Sequence, residues 1–200
     1  MFKMIFAAIL GGIIFFAWNS VSWMVLPWHQ QTISHFDNDQ VVMEALSANA
    51  NPEKGGIYLL PKMDHKTKGS NLDEASAEIE RTESEKSLKP FAFISYKPQG
   101  SGRSMEDSMK FALINSIFVS ILIVILLSGT SDLGYLSRVF FIVMIGFVGA
   151  LLGHVPNWIW WGFDGGYTLV MIADTLIGWF LAGLGIAALV GHEPDYLSPD

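Results

Sequence analysis

The clearest chemistry in this chain belongs to a carboxylate inside an apolar stretch. Asp174 lies within Thr168 to Val190, and a charge near the centre of a bilayer costs roughly 2.5 to 3.5 kcal/mol on insertion scales. Something must offset that cost. Asp174 shares a helical stripe with Gly178, Ala182 and Gly185, and small residues let helix backbones approach, so the carboxyl faces other helices and not lipid. No Lys or Arg lies inside the apolar stretches, which leaves Asn19, Ser22, Asn115, Ser116 and His154 as candidate partners. At about 1.5 Å per residue, Asp174 is about 10 Å deep, Asn19 similar, Asn115 a little shallower and His154 near the surface. The spacing therefore pairs Asp174 with Asn19 first and Asn115 next. Such groups commonly hydrogen-bond helices together. The sharper alternative is a proton or ion site.

A second constellation gathers at one membrane interface. Trp18, Trp23 and Trp28 end the first apolar stretch, and Trp158, Trp160 and Trp161 fill the short loop between the third and fourth. Indole is best placed where an apolar ring meets water through its N–H. His29, His154 and Asp164 fall on the same side, and together with Trp28, Trp158, Trp160 and Trp161 they form a candidate interfacial site. With His35 and Asp37 they approximate a His and carboxylate metal set. None of them makes a pair at H-x-x-x-H spacing, and lone interfacial histidines usually cap helices or bond backbone, so the metal question stays open.

Other chemistries are disfavoured. The absence of cysteine excludes disulfides, thiolate zinc, iron–sulfur clusters, c-type haem attachment and a Cys nucleophile. There is no Walker loop, HExxH or dinucleotide fingerprint, and Ser20 and Ser22 near His29 lack a G-x-S-x-G elbow. The sequence therefore points away from an enzyme and implies no cofactor. A net charge of −7 argues against a nucleic-acid surface or a polybasic lipid anchor.

Four elements must position these residues. Met4 to Leu26, Phe111 to Leu127, Val139 to Gly153 and Thr168 to Val190 each run about 15 to 23 residues, against roughly 20 needed to cross about 30 Å of hydrocarbon. The third is short and can borrow Ser137 and Arg138. It carries a small-residue stripe, Gly146, Gly149, Ala150 and Gly153, and the first carries Ala7, Ala8, Gly11 and Gly12. Both suggest close packing inside a bundle. Ser20-Val21-Ser22 resembles a signal-peptidase site, but the apolar run continues to Leu26, which favours an uncleaved anchor.

The segment 27–110 reads as a small α+β domain. Asp39 can cap a short helix with Val42, Met43 and Leu46 as its apolar face before Asn51-Pro52. Gly55 to Pro61 and Pro90 to Tyr96 read as strands bounded by breakers. Between them 62–89 is a polar insertion, with a helical patch from Leu72 to Glu85, and 191–200 is a disordered tail. Ten of the twelve Lys and Arg residues lie between Pro27 and Lys110. Long translocated segments escape the positive-inside rule, however. Lys3 and Arg138 then place both termini in the cytoplasm, against the sense of Lys97, Arg103 and Lys110. The fold expected is an all-α integral membrane protein, 1–26 as helix 1 and 111–190 as helices 2 to 4, with an extracytoplasmic α+β segment between.

Ser22-Trp23-Met24-Val25-Leu26-Pro27-Trp28-His29, the segment Gly153 to Phe163, Tyr167-Thr168-Leu169 and Asp174 resemble a family of small bacterial inner-membrane proteins of unknown function. The resemblance covers spans one, three and four. It implies a bacterial inner membrane and one tryptophan-rich site, and carries no activity. The function expected is a non-enzymatic accessory, assembly or interaction component, in contact with the lipid bilayer and a membrane protein complex. A small transporter or channel built on Asp174, Asn19 and Asn115 is the alternative.

Overall fold

The computed structural model describes residues 2–61, 90–100, 102–130 and 133–191. The 62–89 insertion, the helical patch within it and the tail beyond Gly191 lie outside the described residues. The chain divides into two compact units, the first comprising Met1–Ser34, Arg103–Ile159 and Phe163–Asp200, the second His35–Gly102 with Trp160–Gly162.

Four long helices build the first unit, α1 (Phe2–Met24), α4 (Met105–Ser128), α5 (Tyr135–Trp161) and α6 (Gly165–Leu189), with the last two residues of α5 counted in the second. All four are long and apolar enough to cross a membrane. A four-residue helix, α2 (Trp28–Gln31), follows α1 after Pro27. The second unit holds α3 (Asp39–Asn49), β1 (Gly56–Leu60) and β2 (Ala92–Tyr96).

Small residues decide how the long helices meet. Ala7, Ala8, Gly11 and Gly12 are buried on one face of α1. A β-carbon at Gly12 would lie 2.5 Å from the Ile117 backbone of α4, and one at Gly11 would lie 2.5 Å from Ile186 of α6 and 2.6 Å from Ser120 Oγ. The central helix α1 therefore packs backbone-close against both neighbours, running antiparallel to each. The core assembles around this contact from Ile123, Val124 and Leu127 of α4, Ile142 of α5, and Trp179, Ala182 and Ile186 of α6. Trp179 reaches both ways, stacking on Phe15 with centroids 4.3 Å apart and filling the space at Gly146.

Two expectations about α5 are corrected. The helix does borrow Ser137 and Arg138, but it also continues past Gly153 to Trp161 with Pro156 inside it, so Trp158, Trp160 and Trp161 are helical and not in a loop. Proline forfeits the bond to Leu152 O and crowds that carbonyl, whereas stopping there would strand several backbone groups among apolar side chains. Gly162, at φ +66°, ends the helix instead. The small-residue stripe also divides. Gly146 packs on Trp179, whereas Gly149 and Gly153 meet nothing within 4 Å.

Capping sets the other ends. Ser104 Oγ accepts from Asp107 N at 3.0 Å, starting α4 six residues before its apolar run. Asn38, not Asp39, caps α3, its Oδ1 accepting from Val41 N at 3.1 Å. In α3, Val42 and Leu46 are half-buried and Met43 is exposed. The strands pair antiparallel from Gly56↔Tyr96 to Leu60↔Ala92. Tyr58 meets Tyr96 edge-on, the Tyr96 hydroxyl lies 3.1 Å from Ser47 Oγ, and Phe93 packs on Trp161 at 5.1 Å.

Because Gly12 faces backbone, it tolerates no side chain. Gly12→Leu is expected to destabilise the detergent-solubilised protein by about 1–3 kcal/mol or more, as overpacking does. Gly149→Ala is expected to be near neutral. Thermal unfolding of the two variants separates them, and equal effects would contradict the packing described.

Candidate functional site

The site forms where the chain turns back on itself. Trp18 and Ser22 are four residues apart on α1 and so share one face. After Met24 the helix ends, Val25 N and Leu26 N both bonding Val21 O, and Pro27 breaks the run. The chain reverses into α2, where Thr32 Oγ1 donates to His29 O at 2.8 Å. His29 is thereby returned beneath the end of α1, fully buried, with the Trp23 ring stacked on it at 3.9 Å and 8°.

Asp174 on α6 completes the cluster. Ser22 Oγ lies 2.9 Å from His29 Nε2, and the same nitrogen lies 3.3 Å from Asp174 Oδ2. Trp28 Nε1 donates to Ser22 Oγ at 2.9 Å. Trp18 Nε1 donates to Asp174 Oδ1 at 2.6 Å and to Asp174 O at 3.0 Å. Ser22 and His29 are 0% exposed and Asp174 is 3% exposed. As the Nε2–H tautomer, His29 donates between the serine oxygen and the carboxylate, leaving Nδ1 as a buried acceptor without a partner among the described residues.

Serine and aspartate both in contact with one histidine invite comparison with a hydrolytic triad, and the geometry differs. In a triad the carboxylate orients Nδ1 while the serine faces Nε2. Here both oxygens address Nε2, so the ring cannot relay a proton from one to the other. What the arrangement does chemically is to give one buried carboxylate two donors, the Ser22 oxygen two donors, and two indole N–H groups an acceptor each.

The expected partners of Asp174 are distributed differently. Asn19 donates Nδ2 to Phe15 O at 3.0 Å and is not bonded to Asp174. Asn19 and Asn115 instead line a groove of about 440 Å³ beside Phe16, Trp23, Met109 and Ser116. Asp164 caps α6, accepting from Tyr167 N at 2.8 Å. His154 is half-buried on α5 and takes no part in the cluster. Trp158 and Trp160 are 53% and 73% exposed. Trp161 packs on Phe93. Among the described residues, no three of His, Cys, Asp and Glu converge as a metal set.

Two members were missed as partners of Asp174: His29, placed at the interface, and Trp18, read only as an interface marker. The available signals were the Pro27 break, which permits reversal, and the Trp18–Ser22 spacing, which puts indole and hydroxyl on one face. Compared with known proteins, the chain matches no family, no curated protein and no solved structure. Fold and site define a class: the chain has four apolar helices of spanning length, consistent with a multi-pass membrane protein, and a small two-stranded sheet.

A shared nitrogen makes the cluster non-additive. Ser22→Ala and Asp174→Asn are expected to show a coupling of about 0.5–3 kcal/mol in a double-mutant cycle of thermal stability, as members of one network do. Effects that simply add would mean that His29 does not join them.

Proposed function

We propose that this chain is a non-enzymatic accessory or assembly component of a bacterial inner membrane, with both termini cytoplasmic, that engages a membrane protein or lipid through its tryptophan-rich end. One observation carries the reading: α5 ends on large apolar side chains that the protein leaves uncovered, Trp158 at 53%, Ile159 at 58% and Trp160 at 73% exposed. Exposed indole is the side chain most often found at the energetic centre of interfaces, and it also suits the headgroup layer of a bilayer. The buried cluster supports this role by fixing α2 against α1 and α6. The bacterial inner membrane is what the resemblance of the Ser22 to His29 and Gly153 to Phe163 segments implies, and the acidic charge disfavours nucleic acid.

Affinity capture of the tagged full chain in mild detergent tests the reading. A partner recovered with the native chain and lost with the Trp158→Ala, Trp160→Ala double variant is the expected result. Recovery of nothing above background, or equal recovery with both chains, would count against it.

A second reading, a small transporter, is favoured by the buried contact between His29 and Asp174 of the α6 span, and by His29 Nδ1 having no partner among the described residues. On that reading, liposomes holding the native protein pass protons or cations faster than empty ones, and Asp174→Ala abolishes the difference. Fluxes equal to those of empty liposomes would remove it.

A further inference from the structure

Along the spanning helices the exposed polar side chains gather near the ends, and His154 and Thr175, farther in, are half-buried. Among the described residues, Asn115 is the only exposed polar side chain lying more than five residues from either end of its spanning helix. It is about 15 Å along α4 from Met105. Ser116, its neighbour, bonds Ala112 O at 2.8 Å, and Asn19 across the groove bonds Phe15 O. Asn115 makes no hydrogen bond among the described residues. In hydrocarbon an amide left in this state costs several kcal/mol.

The surface around it has a regular pattern. Phe111, Asn115, Phe118, Leu122 and Ile125 recur at spacings of four and three, and the four apolar members are 55%, 57%, 45% and 56% exposed. An alternation of three and four is the 3.5-residue repeat of a helix that packs along its length on another helix. A single asparagine within such a seam fixes register and partner number.

We infer that this face of α4 packs against the same face of a second copy of the chain, with each Asn115 meeting its counterpart. The choice of occupant follows from the chemistry. Copies inserted in one membrane share an orientation, so their α4 helices run parallel and equivalent residues lie at equal depth. A carboxamide is its own complement, carrying a carbonyl acceptor and an N–H₂ donor, so two facing residues exchange hydrogen bonds reciprocally. The two-fold axis lies along the membrane normal, as an isologous contact between equally oriented copies requires. No charged side chain interrupts the seam between Phe111 and Ile125, so nothing repels the second copy.

The chain contains no cysteine, which makes single-cysteine variants direct reporters. In membranes holding the full chain, mild oxidation is expected to link L122C into a dimer. V148C, on the exposed side of α5, is expected to remain monomeric. Added to the native background, N115L is expected to weaken association roughly 3- to 30-fold, as loss of an interhelical hydrogen bond does, and N115Q to retain most of it. Förster transfer between amino-terminally labelled copies, diluted in lipid vesicles, gives that affinity. The inference is overturned if L122C links no better than V148C, or if N115L leaves the affinity unchanged. Monomeric protein that retains a lipid only while Asn115 is present would overturn it too.

Discussion

A buried carboxylate with no cation in its helix must be answered by hydrogen bonds, and much of the geometry at one end of the bundle follows from that requirement. Asp174 receives the Trp18 indole from α1 and His29 from α2. His29 can reach it only because the chain reverses at Pro27. The reversal in turn brings Trp28 Nε1 to Ser22 Oγ, so the serine that faces His29 is itself held. Removing one member would leave the others buried and unpaired, at about 1–3 kcal/mol for each neutral group and more for a charge. The cluster therefore acts as a unit, fastening α2 to two long helices.

That fastening depends on packing several residues away. Gly178 is one turn after Asp174 on α6, and a β-carbon there would lie 2.8 Å from Phe15 and 3.0 Å from Trp18. The absent side chain lets the Trp18 ring lie close enough to α6 for its N–H to reach both the carboxylate and the backbone oxygen of Asp174. Gly11 and Gly12 hold α1 close to α6 and α4 farther along the same axis. Close approach and polar satisfaction are thus parts of one arrangement, which is why small residues and the carboxylate share a stripe.

The stripe was legible in the sequence. Period and residue size alone place Asp174, Gly178 and Ala182 toward neighbouring helices, and all three are buried. The four helices and two strands were legible from hydropathy and breakers, while the ends of α4 and α5 were not, because caps and a tolerated proline outweigh the edge of an apolar run. The partner of Asp174 was not legible for a different reason. Depth counted along straight helices puts His29 beyond the first span, and only the turn at Pro27 returns it. Asn19, at the matching depth, points around the helix toward α4 and bonds its own backbone.

The division between Asp174 and the two asparagines separates two kinds of polar residue inside an apolar bundle. The Asp174 carboxylate and the indoles of Trp18 and Trp28 are bonded to named neighbours, so these polar groups are answered from inside the chain. Asn115 stands on the opposite side of that line: exposed, without a bond among the described residues, and set in a regular apolar seam. Water would satisfy such an amide on a soluble helix, but hydrocarbon supplies neither donor nor acceptor. The residue that is costly in isolation is therefore the one that can specify a contact, because a matching group at the same depth would recover its desolvation.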